Sequence, residues 1–268
     1  MATLRRSSNK AKIARRVIEV LEYFDDDHRQ ATVMDIVRRY DRPQSSTSEL
    51  LSSLVELGVL HKDARSRSYS PTVRAAMIGS AGQSAVVRDG GLVRLTDRLV
   101  AQTGLSVAVF GMVGLNLQIV SWRGGNRSSA PAVRGLVGGL QQPLCNSAAG
   151  LLLLSTIEQA RRDGIIRRLN AEAPESQKFT AAEVSRQIET CGQSGAARGP
   201  IGFDTRAEVL ARLIDPARTE HPLAIGLVYG SQDQVNPESL AASLDEAMRS
   251  CLIGDGASAS VEMLATAA

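Results

Sequence analysis

Sixteen consecutive residues, Pro43 to Gly58, constrain this chain more than any other stretch. Thr47, Leu50, Leu51, Leu54 and Leu57 recur at helical spacing on one face, and Ser45, Ser48, Glu49, Ser52 and Glu56 lie opposite. Pro43 suits the first position of a helix, where a missing N–H costs nothing, and Gly58 suits the residue just past its end. Serine is a mediocre helix former, so a serine-rich exposed face implies a use. Small hydroxyls let a helix settle close to the floor of the DNA major groove, where they can both donate and accept hydrogen bonds. Free N–H groups around Gln44 to Ser46 also favour a phosphate.

The flanking segments agree with that use. Lys10 to Phe24 carries Ala14, Val17, Ile18, Leu21 and Phe24 as one helical stripe, ended by Asp25 to Asp27. Thr32 stands three residues before Asp35, a cap-like pair that opens a short helix to Tyr40, and Tyr40 to Arg42 form the turn. After Gly58, Val59 to Pro71 reads as two short strands around a polar, basic tip. Helix, short helix, serine-faced helix and basic hairpin in that order describe a winged helix-turn-helix over residues 10–80. Residues 1–88 hold 15 Lys/Arg against 10 Asp/Glu, while the remainder holds 16 against 18. That balance agrees with a duplex-binding domain joined to one that does not touch DNA.

The candidate DNA contacts are Arg42, Gln44, Ser45, Ser46, Ser48, Glu49 and Ser52, together with Lys62, Arg65 and Arg67 on the hairpin. Glu49 has two readings: it accepts from cytosine N4, or it pairs with Arg42 or Arg38 and touches no DNA. A winged helix that docks on protein rather than DNA is the alternative from another class.

These residues resemble the DNA-binding domain of the IclR-type bacterial transcriptional regulators, over Ile13 to Gly79. Pro43, Ser45, Ser46, Leu50, Leu51, Leu54, Leu57 and Gly58 fall at matching positions, and Tyr69 matches the tyrosine that ends the wing. Glu49 departs from the pattern, since the family typically carries arginine there. The resemblance implies a dimer, or a dimer of dimers, on a palindromic operator, with a linker helix that helps pair the DNA-binding domains.

Past the hairpin, Pro71 to Ala81 reads as a helix leaving the wing. Glycines at 82, 90 and 91 mark a boundary, and Gly91 to Gln102 forms a helix with Leu92, Leu95 and Leu99 on one side. Residues 81–103 are the expected linker. From Gly104 the period changes. Strands are expected at Ser106 to Phe110, Leu115 to Trp122, Val133 to Val137, Glu208 to Ile214 and Leu223 to Tyr229, with Gly111 to Gly114 as a turn. Helices are expected from Asn146 to Gln159, Arg161 to Leu169, a Thr180–Glu183 capping box to Cys191, and Asn236 to Cys251. Strand pairs separated by helices argue for an α+β fold with an antiparallel sheet over residues 104–253, and 254–268 reads as a disordered tail.

The order resembles the GAF-like effector-binding domain of the same family, with Pro143 to Gly150 as the closest local match. The resemblance implies a small-molecule effector held by Ser147, Ala148, Asp204, Val209, Leu227 and Tyr229, with Phe110 and Met112 as further lining. Family ligands are small carboxylates or aromatic metabolites. The apolar Val209, Leu227 and Tyr229 favour an aromatic or larger one.

Other classes find little support. The three histidines form no metal-ligand spacing, no nucleophile elbow or phosphate loop occurs, and the chain reads as a non-enzyme without cofactor or metal. Cys145 precedes a helix start and is either reactive or a buried structural thiol. No apolar run approaches the roughly 18 residues of a membrane span. The basic N-terminus is no secretory signal, and three scattered cysteines suit a reducing cytoplasm.

Overall fold

The computed structural model describes residues 9–25, 27–127, 130–230 and 232–252, so the expected tail at 254–268 lies outside the described residues. The chain forms two compact units, Met1–Gly82 and Gln83–Ala268.

The first unit contains helices α1 (Asn9–Glu22), α2 (Val33–Tyr40) and α3 (Gln44–Glu56), strands β1 (Leu60–Lys62) and β2 (Tyr69–Pro71), and a short helix α4 (Val73–Met77). Local chemistry sets its joints. Thr32 and Asp35 form a reciprocal capping box that starts α2, and Asp41 ends it in a left-handed conformation with φ 48°. Pro43 sits one place earlier than expected, as the extended N-cap of α3 rather than its first helical residue. At the other end Gly58 takes φ +70°, Val59 N–H donates to Leu54 O, and Gly58 N–H donates to Val55 O. This double return closes the helix and needs a residue that tolerates positive φ.

Val20, Ala31, Ile36, Leu51, Leu54, Val59, Leu60 and Tyr69 make the core of this unit. Two details differ from the sequence reading. On α1, Val17, Val20 and Leu21 face the core, whereas Ala14 is exposed and Ile18 is 56% exposed. The helix has an adjacent apolar flank that its own unit leaves uncovered. Leu57 is 64% exposed, because it caps α3 rather than continuing its buried stripe.

The second unit contains α5 (Ala85–Arg88), α6 (Gly91–Thr103), β3 (Ser106–Val113), β4 (Asn116–Arg123), α7 (Ala130–Val133), β5 (Gln141–Pro143), α8 (Ala148–Leu154), α9 (Gln159–Glu172), α10 (Ala181–Ser194), β6 (Ala196–Pro200), β7 (Glu208–Leu213), β8 (Ala224–Tyr229) and α11 (Pro237–Leu252). The strands form one antiparallel sheet in the order β5-β4-β3-β8-β7-β6. Ala108, Phe110, Leu117, Ile119, Val209 and Val228 face one side, where Leu152 and Leu153 of α8 and Ile188 of α10 cover them. Val107, Val109, Leu210, Ile225, Leu227 and Tyr229 face the other, against Leu95 and Leu99 of α6 and Leu244 of α11. Alternation along β3, β7 and β8 therefore supplies two cores from one sheet, while β4 shifts register opposite Val109 and Phe110.

Several expectations are corrected. The turn between the first two strands is shorter, so Gly111 and Met112 lie within β3. The strand expected over Val133 to Val137 is replaced by α7 and a turn. The helix expected to Gln159 stops at Leu154, where the Ser155 and Thr156 hydroxyls donate back to Leu152 O and Leu153 O. Thr180 is the N-cap of α10, but its side chain makes no cap bond. Glu183 instead pairs with Arg186 at 2.7 Å. Within residues 81–103 the chain forms α5 and α6, and α6 buries Leu95 and Leu99 fully against the second unit's core.

Candidate functional site

On α3 the side opposite the core is open. Gln44, Ser45, Glu49 and Ser52 are exposed, Ser46 and Ser48 are half-buried, and Thr47, Leu51 and Leu54 are buried. Ser45, Glu49 and Ser52 are spaced four and three apart, which puts them in one row along the helix. Ser46 is partly committed: its Oγ accepts from Arg16 Nη2 at 3.0 Å and donates to Pro43 O at 3.2 Å. Arg16, on α1, went unnoticed in the sequence, where it is one cation among several. Its contact reaches thirty positions along the chain, and no local pattern announces that.

Arg42 Nη2 donates to both carboxylate oxygens of Glu19, at 3.2 and 3.1 Å. This pair ties the turn before α3 to α1, and the Arg42 side chain stays 38% exposed. Glu49 pairs with neither Arg42 nor Arg38, and among the described residues its carboxylate has no hydrogen-bond or ion-pair partner.

The hairpin is shaped by its own backbone. Asp63 N–H donates to Ser68 O at 2.9 Å, and Asp63 Oδ1 accepts from Arg65 N–H at 2.8 Å. The Arg65 N–H and the Ser66 side chain hold the Asp63 carboxyl below its ordinary pKa. Ser68 Oγ donates to Gln30 Oε1, and Tyr69 exchanges backbone bonds with Ala31, which anchors the wing to the segment before α2. The Lys62 ammonium lies 5.5 Å from the Tyr69 ring centroid, a cation–π distance. Arg65 and Arg67 are exposed, and neither makes an ion pair among the described residues. The wing thus presents two uncommitted guanidinium groups on a turn that does not need them for its shape.

The expected effector residues do not form one site. Phe110, Val209, Ser147 and Ala148 are buried on the α8 side of the sheet, with Met112 packed against them. Leu227 and Tyr229 are buried on the opposite side, toward α6 and α11. Leu210 pairs with Leu227 and Val209 with Val228, so the register puts consecutive residues on opposite faces. The Tyr229 hydroxyl accepts from Arg198 Nε at 3.2 Å, and burial raises its pKa. Ser147 spends its side chain on α8 itself, accepting from Ala149 N–H at 3.2 Å. Asp204 is exposed in a loop where Gly202, Phe203 and Asp204 all have positive φ.

The sequence reading missed Gln142 on β5. Its Nε2 donates to Ile201 O at 2.8 Å and its Oε1 accepts from Phe203 N–H at 2.6 Å, so one side chain clamps that loop. A Cβ at Gly202 would overlap this amide. Cys145 is half-buried beside the loop's partner strand, and burial pushes its thiol up to about 11. A protonated thiol is a poor nucleophile. In native protein at pH 8, Cys145 is expected to stay unlabelled by iodoacetamide and to react once the chain is denatured, read by peptide mass spectrometry. Rapid native labelling would contradict the burial argument. Among the described residues no group of three or more His, Cys, Asp or Glu is placed to hold a metal.

Residues 14–64 match the family model of the IclR helix-turn-helix domain. No curated protein matches the sequence significantly. Among solved structures, the Thermotoga maritima IclR is similar with a TM-score of 0.58 at 14% identity, covering 91% of this chain and 98% of its own. An IclR homolog from Microbacterium hydrocarbonoxydans complexed with 4-hydroxybenzoate has a TM-score of 0.56 at 19% identity, covering 89% and 97%. An Alicyclobacillus acidocaldarius IclR-type regulator has a TM-score of 0.56 at 17% identity, covering 91% and 98%. At such identities the likeness establishes the fold. Residues 14–64 therefore form an IclR-type helix-turn-helix domain, and the chain as a whole shares the fold of these solved regulators.

Proposed function

We propose that the protein binds duplex DNA as a dimer at a palindromic operator and responds to a small-molecule effector. In this reading residues 10–80 bind DNA, 81–103 link, and 104–253 take the effector. The observation that carries it is the open row Ser45, Glu49 and Ser52 on α3 beside a wing whose Arg65 and Arg67 are uncommitted. A helix in the major groove reads base edges while neighbouring cations fix its register on phosphates. Two half-sites would lie about one helical turn, or a multiple, apart. The uncovered apolar flank of α1, with Ile13 57% exposed, supports pairing of two copies. No helix among the described residues is long and apolar enough to cross a membrane. Three free cysteines suit a cytoplasmic setting.

The effector would be an aromatic or carboxylate metabolite. The Microbacterium complex makes 4-hydroxybenzoate a sensible first probe. Binding would act by favouring one arrangement of the DNA-binding pair, which requires unequal affinity for the two states.

Duplex binding across a salt series tests the DNA arm. For a dimer with about six phosphate contacts, log affinity should fall with log salt at a slope near −5. A flat response sinks it. Thermal melting with aromatic carboxylates tests the effector arm. Ligand at about 100 times its Kd should add roughly 2.7 kcal/mol, and no shift across such a panel removes the effector from the reading.

A further inference from the structure

We propose that Glu49 sets the sequence preference of α3 by accepting a hydrogen bond from a cytosine N4 amine, so that each half-site carries a C·G pair beneath it. The inference deepens the DNA-binding reading above and rests on it.

Glu49 is exposed in the middle of the open row, between Ser45 and Ser52, and has no partner among the described residues. The cation nearest in sequence order on that side, Arg42, is held by Glu19. The helix itself, from Gln44 to Glu56, contains no lysine or arginine. Thr47, Leu51 and Leu54 bury the opposite face of α3, and an Arg16–Ser46 bond joins its first turn to α1, so the row faces outward.

A lone carboxylate carried between phosphates loses water and meets like charge. Both effects lower affinity unless a donor replaces the lost water. The major groove offers two base donors, cytosine N4 and adenine N6. Adenine places its N7 acceptor beside N6, and that lone pair repels the second carboxylate oxygen. Cytosine places a C–H there instead. The carboxylate therefore distinguishes cytosine from the other three bases, and repels guanine and thymine through their acceptors. The serines beside it both donate and accept, so they tolerate several bases. Glu49 is the one group in the row with a fixed demand.

The test is sequencing of duplexes selected from a random library by full-length wild type, E49A and E49R, with circular dichroism as a check that the exposed substitutions leave the fold intact. Wild type should return a cytosine at one position of each half-site. E49A should keep the rest of the site while losing about tenfold in discrimination at that position, and its affinity for random duplex should rise because a like charge is gone. E49R should turn the same position to guanine. A selected wild-type site whose preferences are unchanged at every position in E49A overturns the assignment and leaves the DNA-binding reading standing. A wild type that selects no site and shows no salt-dependent duplex binding overturns both.

Discussion

The double variant R65E/R67E is expected to bind duplex roughly a hundredfold or more weakly than wild type at about 0.1 M salt, with its melting curve unchanged. Each arginine that meets a phosphate releases about one counterion, and a dimer presents each position twice. Four lost contacts should flatten the slope of log affinity against log salt by up to about 4. The melting expectation rests on the turn being built without these side chains: its bonds run through Asp63, Ser66, Ser68 and the backbone. Arg67 takes φ 57°, and glutamate at that position bears the same strain, so the swap is conformationally neutral. Filter binding or fluorescence anisotropy over a salt series checks both numbers. Affinity and slope that match wild type would remove the wing from the interface.

Gly150→Ala is expected to destabilise the second unit by about 3 kcal/mol or more, lowering its melting temperature by roughly 6–12 °C. Two effects oppose each other. Alanine is the better helix former, by about 1 kcal/mol. However, a Cβ at this position would overlap the carbonyl oxygen of Leu144, whose Cα is only 3.1 Å away. Leu144 is fully buried in the turn that precedes α8, and the obstructing atoms are backbone, not the end of a flexible side chain. The overlap wins because α8 cannot retreat: Leu152 and Leu153 pack it against the sheet. A variant that melts at or above the wild-type temperature would refute this account of how α8 sits on its turn.

The two units were legible to different degrees. In the first, the Thr32–Asp35 box and the Gly58 stop lie within a few residues of the groups they serve and formed as read, and the α3 stripe formed except at Leu57, which is the exposed cap. The errors there were of contact. Glu19 pairs with Arg42 from 23 positions away, and on α1 Val20 joins Val17 and Leu21 at the core while Ala14 and Ile18 stay exposed. In the second unit β5 and β6 escaped notice because Gln141–Pro143 and Ala196–Pro200 are short edge strands without apolar alternation. The effector set was split because both faces of the sheet are covered by helices. Apolar residues then stand on both sides, and alternation no longer says which side a ligand would share.

By itself, then, the amino-acid order determined the helix-turn-helix, its wing and the presence of an antiparallel sheet behind them, since caps, turn glycines and hydrophobic period act over a few residues. Only the folded chain decided that Arg42 pairs with Glu19, that Glu49 stands alone, and that Leu227 and Tyr229 face away from Phe110 and Val209. The Gln142 clamp belongs with these, because it joins residues 59 and 61 positions apart. Such contacts depend on strand order and on which helix covers which face, and those are settled by burying two apolar surfaces at once, a global condition that no local spacing encodes.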